Sequence, residues 1–210
     1  MHNYNEELIK KILEILSKQD IWKIPVGVSN RHLHISKEDL QVLFGENYEL
    51  TKMKDLNQPG EFAAEETLII KGPKGKIEDI RILGPVRENT QIEIALSDGF
   101  KLGVKPQVRE SGKIKNTPEV ELIGPKGKIV KREGLISALR HIHMPTEIGN
   151  LLELKDRELV DVEIEGIRKA VLGNVLIRIS DNYRLEMHVD TDEANACCLK
   201  NGDTVKIKKQ

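Results

Sequence analysis

A chain of 210 residues with 39% apolar and 32% charged residues can form one large domain or two small ones, and its composition is that of neither a disordered nor a membrane-embedded chain. Its 33 basic and 34 acidic residues nearly cancel, so no strong global field points to nucleic acid or to a membrane surface. Phe, Trp and Tyr together number seven, so the core must be filled by Ile, Leu and Val, and base-stacking platforms are not expected.

Residues 5–18 predict an amphipathic helix, with Leu8, Ile12, Ile15 and Leu16 at helical spacing among lysines and glutamates. Such a helix packs on its own protein or docks on another. The start of the chain, with Asn3, Asn5, Glu6 and Glu7, lacks the pattern of a secretory signal. No apolar run reaches transmembrane length, and the adjacent Cys197 and Cys198 cannot staple a loop. A reducing cytosol is the expected compartment.

Beyond the first helix the apolar period falls from 3.6 to 2. Strands are predicted over 67–71, 76–82, 91–96, 120–123, 128–130, 159–164, 175–179 and 205–207. Their spacing and Gly or Pro turns suggest barrels rather than a parallel sheet. Three short helices interrupt them. One opens with Ser36 and Asp39 as a capping box, a second spans 133–140, and a third opens at Asp190 with Glu193 and closes at Asn201-Gly202. The segment Gly72-Pro-Lys-Gly-Lys-Ile77 recurs as Gly124-Pro-Lys-Gly-Lys-Ile129, each copy between strand-like runs and each suited to a hairpin turn.

The histidines carry the chemistry. Four of the six lie in two pairs of identical spacing, His32-Leu-His34 and His141-Ile-His143. In an extended segment residues i and i+2 share a face about 6.5–7 Å apart, so such a pair can converge on one metal ion. His188 lies on a strand whose Leu185, Met187 and Val189 alternate inward, which leaves it on the polar face. A lone His-x-His is commonly a pair of surface residues. Two pairs and a further strand histidine favour metal binding, and the lack of Cys-x-x-Cys argues against a closed structural site. In Gln91-Ile-Glu-Ile-Ala-Leu96 the residues Gln91 and Glu93 share one face; on sequence alone Glu93 reads as solvent-facing. Arg87, after the Gly84-Pro85 turn, suits bidentate phosphate binding but alone reads as a surface arginine; Arg109 is a weaker case. Cys197 and Cys198 read as small buried residues rather than nucleophiles.

Ser29-Asn-Arg-His-Leu-His34, Leu56-Asn-Gln-Pro-Gly60, Gly84-Pro-Val-Arg87, Thr90-Gln-Ile-Glu93 and His141-Ile-His143, in this order, resemble the motifs of the PduL-type phosphate acyltransferases. These are the phosphotransacylases of propanediol-utilising microcompartments and their cytosolic relatives. The resemblance runs from about Ile24 to Ile207. It implies a mainly β chain of two similar β-barrel domains capped by short α-helices and preceded by the N-terminal amphipathic helix. The corresponding division is 1–20 for that helix, 21–30 with 139–210 for one barrel, and 31–138 for the other, with a short insertion near 45–65.

The resemblance also implies a pair of metal ions, usually zinc, although other divalent transition metals suit histidine-rich sites. By position, His32, His34 and Glu93 would hold one ion and His141, His143 and His188 the other. Arg87 would bind phosphate. Phe100 would contact the CoA adenine, with Ser29, Gln58 and Ser111 as further CoA-site candidates. Three protein ligands per ion leave an open coordination position, as in catalytic sites.

The implied reaction interconverts a short-chain acyl-CoA plus phosphate with acyl phosphate plus CoA, propanoyl and acetyl being candidate groups. The CoA thiolate attacks directly, with no acyl-enzyme. The expected partners are CoA, acyl-CoA, phosphate, acyl phosphate and a second copy in a homodimer, not nucleic acid or a membrane. The expected place is the cytoplasm or the interior of a bacterial microcompartment, where residues 5–18 would touch shell or cargo. A metal-dependent hydrolase and a nonenzymatic metal-binding scaffold remain as alternatives.

Overall fold

A computed structural model describes residues 10–11 and 23–208. Apart from residues 10 and 11, the expected N-terminal helix over 5–18 lies outside the described residues. The chain is mainly β with four short helices among the described residues, and it divides into two compact units.

The first unit comprises Met1–Val28, Arg140–Val189 and Glu193–Gln210. Its strands are β1 (Ile24–Ser29), β11 (His141–Met144), β12 (Leu159–Ile164), β13 (Ala170–Ile179), β14 (Glu186–Asp190) and β15 (Thr204–Ile207). They close into a barrel in the order β1-β14-β11-β13-β12-β15, with Ile24 opposite Val205 at the seam. Ile24, Val26, Ile142, Val162, Val175, Ile177, Met187 and Val205 fill its interior. Two helices belong to this part of the chain, α3 (Thr146–Leu151) and α4 (Thr191–Cys197).

The second unit comprises Ser29–Leu139 with Asp190–Asp192. It holds β2 (His32–His34), α1 (Lys37–Phe44), β3 (Lys52–Asp55), β4 (Phe62–Lys71), β5 (Lys76–Gly84), β6 (Gln91–Glu93), α2 (Asp98–Leu102), β7 (Gln107–Arg109), β8 (Val120–Ile123), β9 (Lys128–Lys131) and β10 (Leu135–Ala138). The strands form one nine-stranded sheet in the order β7-β10-β6-β2-β5-β4-β8-β9, with β3 paired to β4. Leu33, Ile35, Leu40, Leu43, Ile70, Ile80, Ile82, Ile92 and Leu122 make its core.

Within each unit the chain runs in the same sequence: a His-x-His strand, a helix, a long hairpin, a short strand and a second helix. In the sheet unit these are β2, α1, β4–β5, β6 and α2, with β3 added between α1 and the hairpin; in the barrel unit they are β11, α3, β12–β13, β14 and α4.

The α1 cap is more elaborate than the expected box. Ser36 Oγ accepts from the Asp39 N–H at 3.2 Å. Asp39 does not return the bond directly, because Thr90 stands between them. The Ser36 N–H donates to Thr90 Oγ1 at 2.9 Å, and the Thr90 hydroxyl donates to Asp39. Lys131 Nζ closes the group on Asp39 at 2.7 Å.

Two helix expectations change. Within residues 133–140 there is no helix, and Leu135–Ala138 form strand β10; it lies between β6 and β7 and runs parallel to both. Leu135 and Ile136 are fully buried, and a short central strand buried on both faces shows no period-2 alternation, so periodicity cannot separate it from a helical turn. The last helix, α4, stops at Cys197, before Asn201-Gly202. Cys198 takes the left-handed conformation at φ 58°, and Asn201 Oδ1 instead accepts from the Val28 N–H at 2.7 Å. Cys197 is buried as expected, whereas Cys198 is exposed.

The repeated Gly-Pro-Lys-Gly-Lys-Ile segment is a device for ending helices. Each copy turns a hairpin, between β4 and β5 or between β8 and β9, and each donates a backbone bond to a helix C-terminus. The Lys74 N–H meets Leu102 O of α2 at 3.0 Å, and the Lys126 N–H meets Leu43 O of α1 at 3.0 Å. The glycines permit the approach: a Cβ at Gly72 would lie 2.3 Å from Leu102 O, and one at Gly124 would lie 2.6 Å from Leu43 O. Gly124→Ala should therefore destabilise the fold by about 1–3 kcal/mol through overpacking against backbone. Equilibrium urea unfolding measures this, and an unchanged midpoint would show that the turn does not need the contact.

Candidate active site

Both His-x-His segments are inner strands with the same neighbours. β2 runs parallel to β5 and antiparallel to β6, so His32 faces Glu93 and His34 faces Gln91. β11 runs parallel to β13 and antiparallel to β14, so His141 faces His188 and His143 faces Glu186. Directly opposed side chains on one face of an antiparallel pair stand about 4.5–5.5 Å apart at Cβ. The register thus assembles three donors on each face from two strands.

In the sheet unit His32, His34 and Glu93 each offer one donor atom, and these atoms lie within 4.8 Å of one another. His32 Nδ1 is engaged by Asn30 O at 2.8 Å, and its Nε2 stands 3.5 Å from Glu93 Oε2. Gln91 holds the other carboxylate oxygen, its Nε2 donating to Glu93 Oε1 at 2.6 Å. Gln91 also ties down the loop after β7. Its Nε2 lies 2.8 Å from Ser111 Oγ, and its Oε1 accepts from the Gly112 N–H at 2.6 Å. Ser111 Oγ lies 3.3 Å from Glu93 Oε1.

In the barrel unit the donor atoms of His141, His143 and His188 likewise lie within 4.8 Å of one another. The ring centroids are 4.7–5.1 Å apart. Tyr183 stacks on His143 at 4.3 Å with the rings nearly parallel, and Arg178 lies over the Tyr183 ring. His188 Nε2 meets Glu186 Oε2 at 2.8 Å.

The residues fit a metal ion. His34 Nδ1 and both ring nitrogens of His143 are buried without a hydrogen-bond partner, an arrangement that costs about 1–3 kcal/mol per group unless a ligand satisfies it. Burial lowers the His34 pKa to about 3, with the charges of His32 and Arg87 adding and Glu93 opposing. Burial, then His141, His188 and Arg178, lowers that of His143 to about 2. Both rings are neutral at physiological pH, the form that binds metal.

Arg87 belongs to the sheet unit and flanks the end of the His-x-His strand. It follows the cis Gly84–Pro85 bond, its N–H donates to Ile35 O at 2.9 Å, and it bridges to Ser36. Its Nη2 pairs with Glu61 Oε1 at 2.8 Å, and Glu61 closes a turn onto Gln58 O. The buried Gln58 therefore shares a loop with the partner of Arg87. Phe100 stands on α2 with 85% of its surface exposed. Beside it, Asp98 is held by Arg31 Nη2 at 2.9 Å. Ser29 ends β1, half-buried. Arg109 is bonded to Gln107 and to Val108 O within its own strand.

Sequence reasoning passed over Glu61, Tyr183 and Glu186, and saw Gln91 only as sharing a face with Glu93. For Gln91 and Glu186 the signal was present: each stands two residues before a proposed ligand, hence on the same face of the same strand.

Two sets of imidazoles, one of them with a carboxylate donor, and a guanidinium on a fixed turn suit an enzyme of group transfer. Residues 25–200 match the family model for phosphate propanoyltransferase. Curated relatives named phosphate propanoyltransferase include one from Priestia megaterium, 52% identical over 95% of this chain and 93% of its own. Another, from Thermotoga maritima, is 51% identical over 95% and 94% of the two chains. A third, from Clostridioides difficile, is 40% identical over the whole of both. The chain belongs to the phosphate propanoyltransferase family and is a phosphate acyltransferase.

Gln91 is the hub around Glu93, and its removal should be costly. Gln91→Ala takes a donor from a buried carboxylate and an acceptor from the Gly112 N–H, with an expected loss of about 1–3 kcal/mol in urea unfolding. A loss within error of zero would show that the 110–113 loop is held by other contacts.

Proposed function

We propose that the chain interconverts a short-chain acyl-CoA plus phosphate with acyl phosphate plus CoA, using one cation in each donor set and no acyl-enzyme. The observation that carries this reading is the pair of three-donor sets, in which His34 and His143 present buried nitrogens that no protein group satisfies. Zinc matches neutral imidazole with a single carboxylate, and other divalent transition metals are chemically compatible. Cations held there would supply Lewis acidity and favour the thiolate form of a thiol whose free pKa is about 8.5.

The protein's own groups have separate tasks. Arg87 takes the phosphate, and to do so exchanges its Glu61 partner for a phosphate oxygen. In the direction from acyl phosphate, the sulfur lone pair forms the C–S bond to the carbonyl carbon. The C–O bond to phosphate then breaks, and its electron pair leaves on the phosphate oxygen, where the guanidinium stabilises it. Direct transfer is supported by the state of Cys197, whose thiol pKa is pushed up by burial, with Glu193 adding. Phe100 offers an exposed ring suited to stacking on adenine, with Ser29, Gln58 and Ser111 as further CoA contacts.

No described helix is long and apolar enough to cross a membrane. A homodimer, and residence in the cytoplasm or in a microcompartment, rest on the family resemblance. The segment 5–18, proposed to touch shell or cargo, lies outside the described residues except for residues 10 and 11.

Treatment with a strong chelator should abolish CoA release from acyl-CoA and phosphate, and zinc should restore it. Full turnover by metal-free protein would overturn the two-cation reading. Consumption of acetyl phosphate without CoA would favour a hydrolase instead. Arg87→Ala should lower kcat/KM for phosphate on the order of 10²-fold with metal content unchanged. A wild-type rate at subsaturating phosphate would remove Arg87 from the site.

A further inference from the structure

The donor faces of the two units are built to one plan with four corners, of which the ligand sets use three. On the sheet face the corners are His32, His34, Glu93 and Gln91; on the barrel face they are His141, His143, His188 and Glu186. In both, the fourth corner lies opposite the second histidine and two residues before the third donor. In both, it bonds the third donor: Gln91 Nε2 to Glu93 Oε1 at 2.6 Å, and Glu186 Oε2 to His188 Nε2 at 2.8 Å. The chemical types are exchanged. On the sheet face the carboxylate is the donor and an amide supports it; on the barrel face an imidazole is the donor and a carboxylate supports it.

We propose that Glu186 is the positioning residue of the His141–His143–His188 set. This rests on the reading of that set as a cation site. Glu186 is 5% exposed, and its side chain fills space that β1 leaves for it. A Cβ at Gly27 would stand 2.8 Å from Glu186 Oε1 and 3.3 Å from His188 Cδ2. By accepting a hydrogen bond from His188 Nε2–H, the carboxylate fixes the tautomer and makes Nδ1 the nitrogen with the lone pair. It also supplies charge. Three neutral imidazoles leave a divalent cation's two positive charges uncompensated in a buried site, and Glu186 offsets one of them, as Glu93 does on the other face. Each face thus carries one carboxylate, as a donor in one and behind a donor in the other.

The test is a zinc titration of chelator-stripped wild-type and Glu186→Gln protein by calorimetry, with melting of the metal-free forms and the visible spectra of the cobalt-loaded forms. In Glu186→Gln, one of the two ions should bind roughly 10- to 100-fold more weakly. The other ion should bind as in wild type, the metal-free melting temperature should be unchanged, and the cobalt bands of the affected ion should shift. Gly27→Ala, which removes no donor atom but crowds Glu186 and His188, should weaken the same ion. Wild-type affinity for both ions in Glu186→Gln would overturn the assignment. So would a lowered metal-free melting temperature with unaltered affinities, which marks a packing role only. Wild-type protein that takes up fewer than two ions would overturn the two-cation reading, and this inference with it.

Discussion

Both donor sets follow from strand register. Glu93 reaches His32 because β6 pairs antiparallel with β2 at that residue, and His188 reaches His141 because β14 pairs with β11 in the same way. Side chains alternate between faces with a period of two, so a slip of one residue would turn every donor to the opposite side and bring Leu33 and Ile142 to the donor face. Both of these residues are fully buried in their units' cores. The apolar packing therefore holds the register, and the register holds the polar site.

The strands concerned are short: β2 and β6 have three residues each and β11 has four. Strands of that length do not hold their pairing alone. Each is flanked on both sides, β2 by β5 and β6, β6 by β2 and β10, and β11 by β13 and β14. The longer hairpins β4–β5 and β12–β13 supply the rigid neighbours. Such a site on inner strands varies less in geometry than one on loops, which matters when buried imidazole nitrogens must wait, unsatisfied, for a ligand.

Much of this was readable in the sequence, and the remainder failed for physical reasons. The two His-x-His pairs were visible because i, i+2 spacing translates directly into a shared face. Their pairing with Glu93 and His188 was not, since register between residues 61 and 47 positions apart is a tertiary property; the motif resemblance supplied that grouping. Segment 133–140 misled because Leu135, Ile136 and Ala138 present no alternation when both faces are covered. Helices α2 and α3, five and six residues long, carry too little periodicity to detect. Glu61 was invisible as the partner of Arg87, because nothing local joins a turn after β3 to one after β5.

The duplicated Gly-Pro-Lys-Gly turns join elements that are otherwise independent in sequence. Isolated helices shorter than about 12–15 residues are marginal in water. At eight and five residues, α1 and α2 rely on contacts from outside their own span. An exposed hairpin tip is ordinarily a tolerant place for epitope tags, chain extension or new termini. Here, breaking the chain at 72–75 or 124–127 would also unfasten a helix lying far away in the sequence. The engineering cost of these two tips is therefore set by the helices they terminate and not by the loops themselves.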